Sequence, residues 1–210
     1  MKDNTDKGKE LIAKVQPLSE DLCSSEEGKE QYKIGELYRR GWKVFKDENI
    51  AVDYYLHAIS NGYSKAFESL ILLAKKGNSK ARFSIGEMYY KGSSVEQDNL
   101  TAIEWYSMAA KHGHTEASYR IKQLAEEGLS EAIIVLRQLA EKDNTLASGF
   151  LKQLAEQGNA EAQYNFGVLF QKKKHSEEAK QWFFKAMLLG HPEAKEEYRS
   201  LTSKNEELLK

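Results

Sequence analysis

Proline and cysteine are nearly missing: two prolines and one cysteine in 210 residues. With so little proline, helix interiors stay open, because proline removes a backbone donor and clashes with the preceding turn. Cys23 alone cannot close an internal disulfide, which fits a reducing compartment. Excess charge of one sign is also missing. Against 31 Lys and Arg stand 32 Asp and Glu, for a net charge of −1. Such a chain has no field for tracking phosphates, which argues against nucleic acid as its main partner, and Lys172-Lys173-Lys174 is explained as a solvated loop. No run approaches the ~20 apolar residues that a membrane span requires. The charged start, Met1 to Lys7, lacks the apolar stretch of a secretory leader. The expectation is a soluble cytoplasmic protein, or a periplasmic one if a leader has been removed.

What is present is a repeat. Residues 30–41, 81–92 and 162–170 share an aromatic (Tyr32, Phe83, Tyr164), an apolar-Gly pair (Ile34-Gly35, Ile85-Gly86, Phe166-Gly167) and a further aromatic three residues on (Tyr38, Tyr89, Phe170). A second shared segment follows at Ala51 to Ile59, Ala102 to Ala110 and Ala179 to Met187. It closes on Gly62, Gly113 and Gly190, and four residues later on Ala66, Ala117 and Ala194.

Apolar residues recur at three- and four-residue intervals in both segments, the spacing of one helix face, so each repeat reads as a helical hairpin. Gly35, Gly86 and Gly167 fall inside the first helix, where glycine costs about 1 kcal/mol relative to alanine. Close approach of the partner helix with its Trp or Tyr accounts for them. Eight other glycines (41, 62, 77, 92, 113, 128, 158 and 190) stand where a left-handed residue ends a helix, and Asp47 and Asp98 stand where a cap begins one.

The combined pattern resembles the Sel1-like repeat, a relative of the tetratricopeptide repeat. Residues 81–117 match it nearly throughout, with Ser94 at the second loop glycine. Residues 30–66 match with Lys43 at that glycine and Tyr54 for the tryptophan, and residues 162–194 lack the loop glycine, valine and aspartate. Between the hairpins, alanines recur every 15 residues, at Ala66 and Ala81 and at Ala117, Ala132, Ala147 and Ala162. Each such unit has room for one helix and a turn. The expected fold is all-α: a right-handed superhelical array (α-solenoid) of Sel1-like, tetratricopeptide-like hairpins with interspersed 15-residue single helices. A single helix at 66–80 reverses the sense of the next hairpin, so the helices of Gly35 and Gly86 are expected in different layers. The array is expected over 29–202, after a polar segment at 1–28 in which Leu11-Ile12-Val15 is amphipathic. A polar tail follows at 203–210.

Repeat arrays expose extended surfaces that bind other proteins. By analogy with tetratricopeptide arrays, the candidate partner contacts on the first helices are Tyr32, Glu36, Arg39, Arg40, Phe83, Glu87, Tyr90, Lys91, Tyr164, Val168 and Gln171. Tyr32, Phe83 and Tyr164 read equally as packing between helices. Trp42 joins the candidates as a loop tryptophan with Ser93 at its counterpart; it is a contact anchor or a cover for the loop's underside. Trp105 and Trp182 are read as packing.

Chemistry is not found. His112 and His114 flank a helix end, and His191 takes the place of His114, positions that favour interaction with the helix dipole over metal binding. The serines lack a nucleophile-elbow context, Cys23 lacks a nearby histidine, and the glycines are spaced by helix lengths rather than as a phosphate loop. Neither cofactor nor metal is expected. The resemblance implies a monomeric, non-catalytic adaptor for another protein. A second implied role is an immunity protein that inhibits one secreted toxin or effector. A β-lactamase-like hydrolase ranks last, because the family members linked to that activity are cysteine-rich.

Overall fold

A computed structural model describes the backbone of residues 26–208 and the side chains of residues 26–203. The Leu11-Ile12-Val15 stretch and Cys23 lie outside the described residues. Among the described residues there are eleven helices and no strand. They are α1 (Glu26–Arg40), α2 (Glu48–Ser60), α3 (Lys65–Lys75), α4 (Ser79–Lys91), α5 (Asn99–Ala110), α6 (Thr115–Glu126), α7 (Ser130–Ala140), α8 (Thr145–Glu156), α9 (Ala160–Lys172), α10 (Ser176–Leu188) and α11 (Ala194–Leu208). The last helix, α11, starts two residues after Pro192 and continues through Leu208 into the sequence expected as a tail.

The local signals explain where helices begin. Asp47 Oδ1 accepts from the Asn49 and Ile50 N–H groups at 2.8 and 3.1 Å, and Asp98 Oδ1 accepts from Leu100 and Thr101 at 2.9 and 3.1 Å. Asn78, Asn144 and Asn159 cap α4, α8 and α9 by accepting from Ala81, Ala147 and Ala162. The repeating alanine is thus the third residue of these helices, and it falls in the first turn of α3, α6, α7 and α11 as well. At all seven positions (66, 81, 117, 132, 147, 162 and 194) its methyl is fully buried, and its small size lets neighbouring helices close in. The eight expected helix-end glycines all have positive φ.

The described chain forms two compact units, one ending at His114 and one starting at Thr115. In the first, hairpins α1–α2 and α4–α5 are joined by α3, and α2 also packs beside α4. Tyr32 of α1 meets α3 instead, through Ser69 at 3.5 Å and the Lys65 ammonium over its ring. The helices of Gly35 and Gly86 therefore lie in different rows, as the single-helix insertion requires. In the second unit α6, α7 and α8 lead into hairpin α9–α10 and the closing α11, with α6 touching α8 and α7 touching α9. Both units are stacks of antiparallel helices of the α-solenoid class.

The mid-helix glycines explain the hairpins. A Cβ at Gly35 would lie 2.7 Å from Tyr55, at Gly86 2.6 Å from Tyr106, and at Gly167 2.8 Å from Phe183. Of the Trp or Tyr expected from spacing, the ring on each glycine is the residue after the tryptophan position: Tyr55, Tyr106 and, in the third hairpin, Phe183. Trp105 is fully buried, and Trp182 packs edge-on against Phe166.

Candidate functional site

Of the expected contacts, Glu36 and Glu87 serve the hairpins themselves. Tyr55 Oη donates to Glu36 at 2.6 Å and Tyr106 Oη donates to Glu87 at 2.7 Å. Arg39 forks onto both Glu36 oxygens at 2.7 Å, and Arg40 Nε donates at 2.9 Å. The hydrogen bonds from Arg39, against the opposing effect of burial and with help from Tyr55, hold the Glu36 carboxyl down to about 2. Burial and the Glu36 charge push the Tyr55 hydroxyl up. Lys91 pairs with Glu87 at 2.7 Å, and Tyr90 is half-buried, with its carbonyl accepting from Gln97.

Tyr32, Phe83 and Tyr164 form a second common layer. Each packs on the ring that ends its own hairpin: Tyr32 on Tyr63 at 5.1 Å, Phe83 on His114 at 4.5 Å and Tyr164 on His191 at 4.2 Å. The ring pair persists while its chemistry changes, which is the behaviour of packing. His114 and His191, each just past a helix end, are also ring partners. At exposed His112, desolvation by burial, with the Arg82 and Lys111 charges nearby, lowers the pKa.

In the third hairpin the expected contact face is covered by α11. Val168 and Tyr164 pack on the cluster of Ala179, Phe183 and Leu201, and Gln171 Nε2 donates to Glu197 at 3.0 Å. Burial and a hydrogen bond to Glu193 push the Tyr164 hydroxyl up. In the first hairpin, α3 reaches Tyr32 in the same way. Arg40, Lys91 and Trp42 remain exposed.

Trp42 has a companion that sequence reasoning missed. Trp42 is 62% exposed and Phe45 97% exposed, both in the loop between α1 and α2. The loop backbone is fixed: Trp42 N–H donates to the Leu37 carbonyl at 3.1 Å, and Asp47 N–H donates to Tyr38 at 3.0 Å. The sister loop repeats both bonds, from Ser93 to Met88 and from Asp98 to Tyr89. Lys43 and Ser94, at the second loop glycine of the resemblance, both take positive φ. Aligning the loops puts Phe45 over Glu96 as Trp42 stands over Ser93; that doubled exchange of polar for aromatic was the available signal. The Lys43 ammonium lies 4.8 Å from the Trp42 ring centre.

One cluster brings titratable groups together. His191 Nε2 lies 3.2 Å from Glu161 Oε2; Asn165 donates to Glu161 and accepts from Arg137, which pairs with Glu141. The ring positions and polar bonds tie α7, α9 and the end of α10 together. In the second hairpin Lys80 replaces Glu161, yet the ring pair remains. Among the described residues no group of three or more His, Cys, Asp or Glu could hold a metal ion, and no helix is long and apolar enough to cross a membrane.

The family model for the Sel1 repeat matches residues 31–63, 79–114 and 160–191, the three hairpins. No curated protein matches the chain. Among solved structures it is similar to a protective antigen present in uropathogenic Escherichia coli strains displaying an SLR fold. That similarity is at 21% identity over 86% of this chain and 54% of that one, with a TM-score of 0.33. It is also similar to a Sel1 repeat protein from Oxalobacter formigenes, at 23% identity over 84% of this chain and 66% of that one, with a TM-score of 0.30. The chain thus spans just over half of the first relative and about two thirds of the second.

Proposed function

This chain is a Sel1-repeat protein, and from that premise we propose that it is a non-catalytic interaction module that holds another protein, with Trp42 and Phe45 as its anchors. Sel1 repeats generally serve as protein-interaction modules, and stacked repeats offer extended surfaces for the purpose. The supporting observation is the aromatic pair on the first hairpin loop. An exposed Trp and Phe on a backbone held like its polar sister loop gain nothing for folding, whereas aromatic anchors dominate binding energy at interfaces. The preformed loop also limits the ordering cost on binding. Exposed Arg40 forms part of the rim of that surface, and Glu36, which Arg40 and Arg39 both bond, supports it from within. The protein acts as a single copy in the cytoplasm, where Cys23 stays reduced.

The test exchanges one loop for the other. Trp42→Ser with Phe45→Glu gives the first loop the side chains of the second. Tagged full-length protein is incubated in native extract at low salt, with and without crosslinking. Proteins retained by the wild type and lost by the variant, with an unchanged thermal melt, are the expected result. Identical captures, or nothing above the tag control after crosslinking, overturn the proposal. A captured toxin would assign the inhibitor role; a resident complex would assign the adaptor role.

A further inference from the structure

The loop that carries Trp42 and Phe45 also concentrates charge of one sign. Residues 39–46 contain four cations, Arg39, Arg40, Lys43 and Lys46, and no carboxylate, in a chain of net charge −1. The sister segment, residues 90–97, has one cation, Lys91, and one carboxylate, Glu96. Aligning the two sets Lys43 over Ser94 and Lys46 over Gln97, so the exchange that brings in two rings brings in two ammonium groups as well.

The charges around the loop are sorted by depth. Glu36 exposes 13% of its side chain, whereas Arg40, bonded to it, exposes 66%. Glu48 exposes 30%, whereas Lys46, 2.9 Å from it, exposes 60%. Asp47 turns Oδ1 to the N–H groups of Asn49 and Ile50 at the start of α2. Lys43 is exposed, with its ammonium over the Trp42 ring. The carboxylates are thus the more buried members, and Arg40, Lys43 and Lys46 are presented to solvent beside two exposed rings.

Neither ammonium is needed for the turn. Ser94 takes φ 64° where Lys43 takes 60°. The Gln97 β-carbon lies beside Gly92 as that of Lys46 lies beside Gly41, and the same backbone bonds hold both loops. Exposed cations steer partners of opposite charge and repel those of like charge, and a guanidinium matches a carboxylate in geometry.

Resting on the reading of Trp42 and Phe45 as anchors, we propose that the partner protein presents an acidic stretch with an apolar side chain set among Asp and Glu. The apolar side chain packs on the rings, and the carboxylates meet Arg40, Lys43 and Lys46. An anionic bilayer offers the same charge, but a stable hold on lipid takes a larger apolar face than two rings.

The probe is a short fluorescein-labelled peptide of Asp and Glu with two Leu, titrated with full-length protein and followed by anisotropy. A peptide with Lys in place of every acid is its control, and vesicles of phosphatidylcholine with phosphatidylglycerol form a second arm. The acidic peptide alone should bind, at least ~10-fold more weakly at about 300 mM salt than at about 50 mM. Lys43→Ser with Lys46→Gln keeps both rings and takes its side chains from the sister loop. It should weaken binding about 5-fold without changing the thermal melt. Lys142→Gln with Lys173→Gln removes as much exposed charge from the second unit and should leave binding unchanged.

Equal affinity for the two peptides, no binding of the acidic one at about 1 mM, or an unaltered loop variant overturns the proposal. So does vesicle binding that depends on Trp42 and Phe45, which assigns the loop to a membrane. Capture from extract separates the two readings. Proteins lost with Trp42→Ser and Phe45→Glu, but kept with Lys43→Ser and Lys46→Gln and at high salt, leave the anchors in place and remove the acidic partner. Capture untouched by either pair removes the anchors themselves.

Discussion

Tyr55 packs against Gly35 and donates its hydroxyl to Glu36, the residue after that glycine, at 2.6 Å. The second hairpin repeats the arrangement with Gly86, Tyr106 and Glu87. The third keeps the ring on the glycine but drops both polar partners together, pairing Phe183 with Val168. A hydroxyl without its carboxylate, or the reverse, would leave a desolvated polar group at the helix contact. The three hairpins are two solutions of one packing problem.

Converting the first hairpin to the third should therefore be cooperative. Tyr55→Phe alone loses a hydrogen bond to a charged acceptor, at a cost of about 1–2 kcal/mol. Glu36→Val alone costs more, about 2–3 kcal/mol, because the buried Tyr55 hydroxyl and the Arg39 fork both lose their acceptor. The double variant should lose about 1 kcal/mol less than the sum of the single losses. Denaturant unfolding of the four proteins measures this coupling, and strict additivity would remove the pairing from the account of the hairpin.

The same carboxylate sets an acid limit. Glu36 titrates at about 2 in the folded protein against an ordinary value of 4.5. Its folded pKa is depressed, so its stabilisation is complete above 4.5 and is lost as pH falls through about 2. Wild type should melt above Glu36→Gln at pH 7, and the gap should close between pH 4.5 and 2. A gap that is constant over this range would show that the carboxylate charge is not what stabilises the contact.

Much of this was legible in the sequence. Eight glycines spaced by helix lengths marked the helix ends, and Asp47 and Asp98 marked two starts. The Glu-Tyr exchange for Val-Phe was visible in the aligned repeats. Other features were not. Trp105 and Tyr106 are adjacent, so a contact inferred from helix spacing alone does not say which ring faces Gly86. Loop residues have no periodicity, so Phe45 gave no exposure signal of its own. His114 and His191 were correctly placed at helix ends, but a position at a helix end does not fix whether the imidazole turns toward carbonyls or lies on a ring.

Identical Gly→Ala substitutions should have opposite effects at two helix positions. At Gly86 the new methyl would sit 2.6 Å from the buried Tyr106 ring, so Gly86→Ala should cost about 1–3 kcal/mol. At Gly149, exposed within α8, nothing lies within 4 Å of the added carbon. Gly149→Ala should stabilise by about 0.5–1 kcal/mol, through helix propensity alone. Urea midpoints of the two variants test the claim. Loss of stability in both would mean that Gly149 has a contact partner of its own.

Where a helix ends without glycine, glycine should improve it. Asp143 has φ 60°, at the place that Gly128 and Gly158 occupy one unit before and after. Its N–H closes the same turn, donating to Ala140 at 3.2 Å as Gly158 donates to Ala155 at 3.2 Å. A β-carbon in the left-handed region costs roughly 1–2 kcal/mol, part of which glycine returns through the greater freedom of its unfolded chain. Asp143→Gly should therefore stabilise by about 0.5–1 kcal/mol. The reverse change, Gly158→Asp, should destabilise by a similar amount, since nothing crowds that position and only the backbone conformation is at issue. Chemical denaturation of both variants, read against wild type, separates this from a side-chain effect. If Asp143 instead contributed a cap of its own, both substitutions would lower the midpoint.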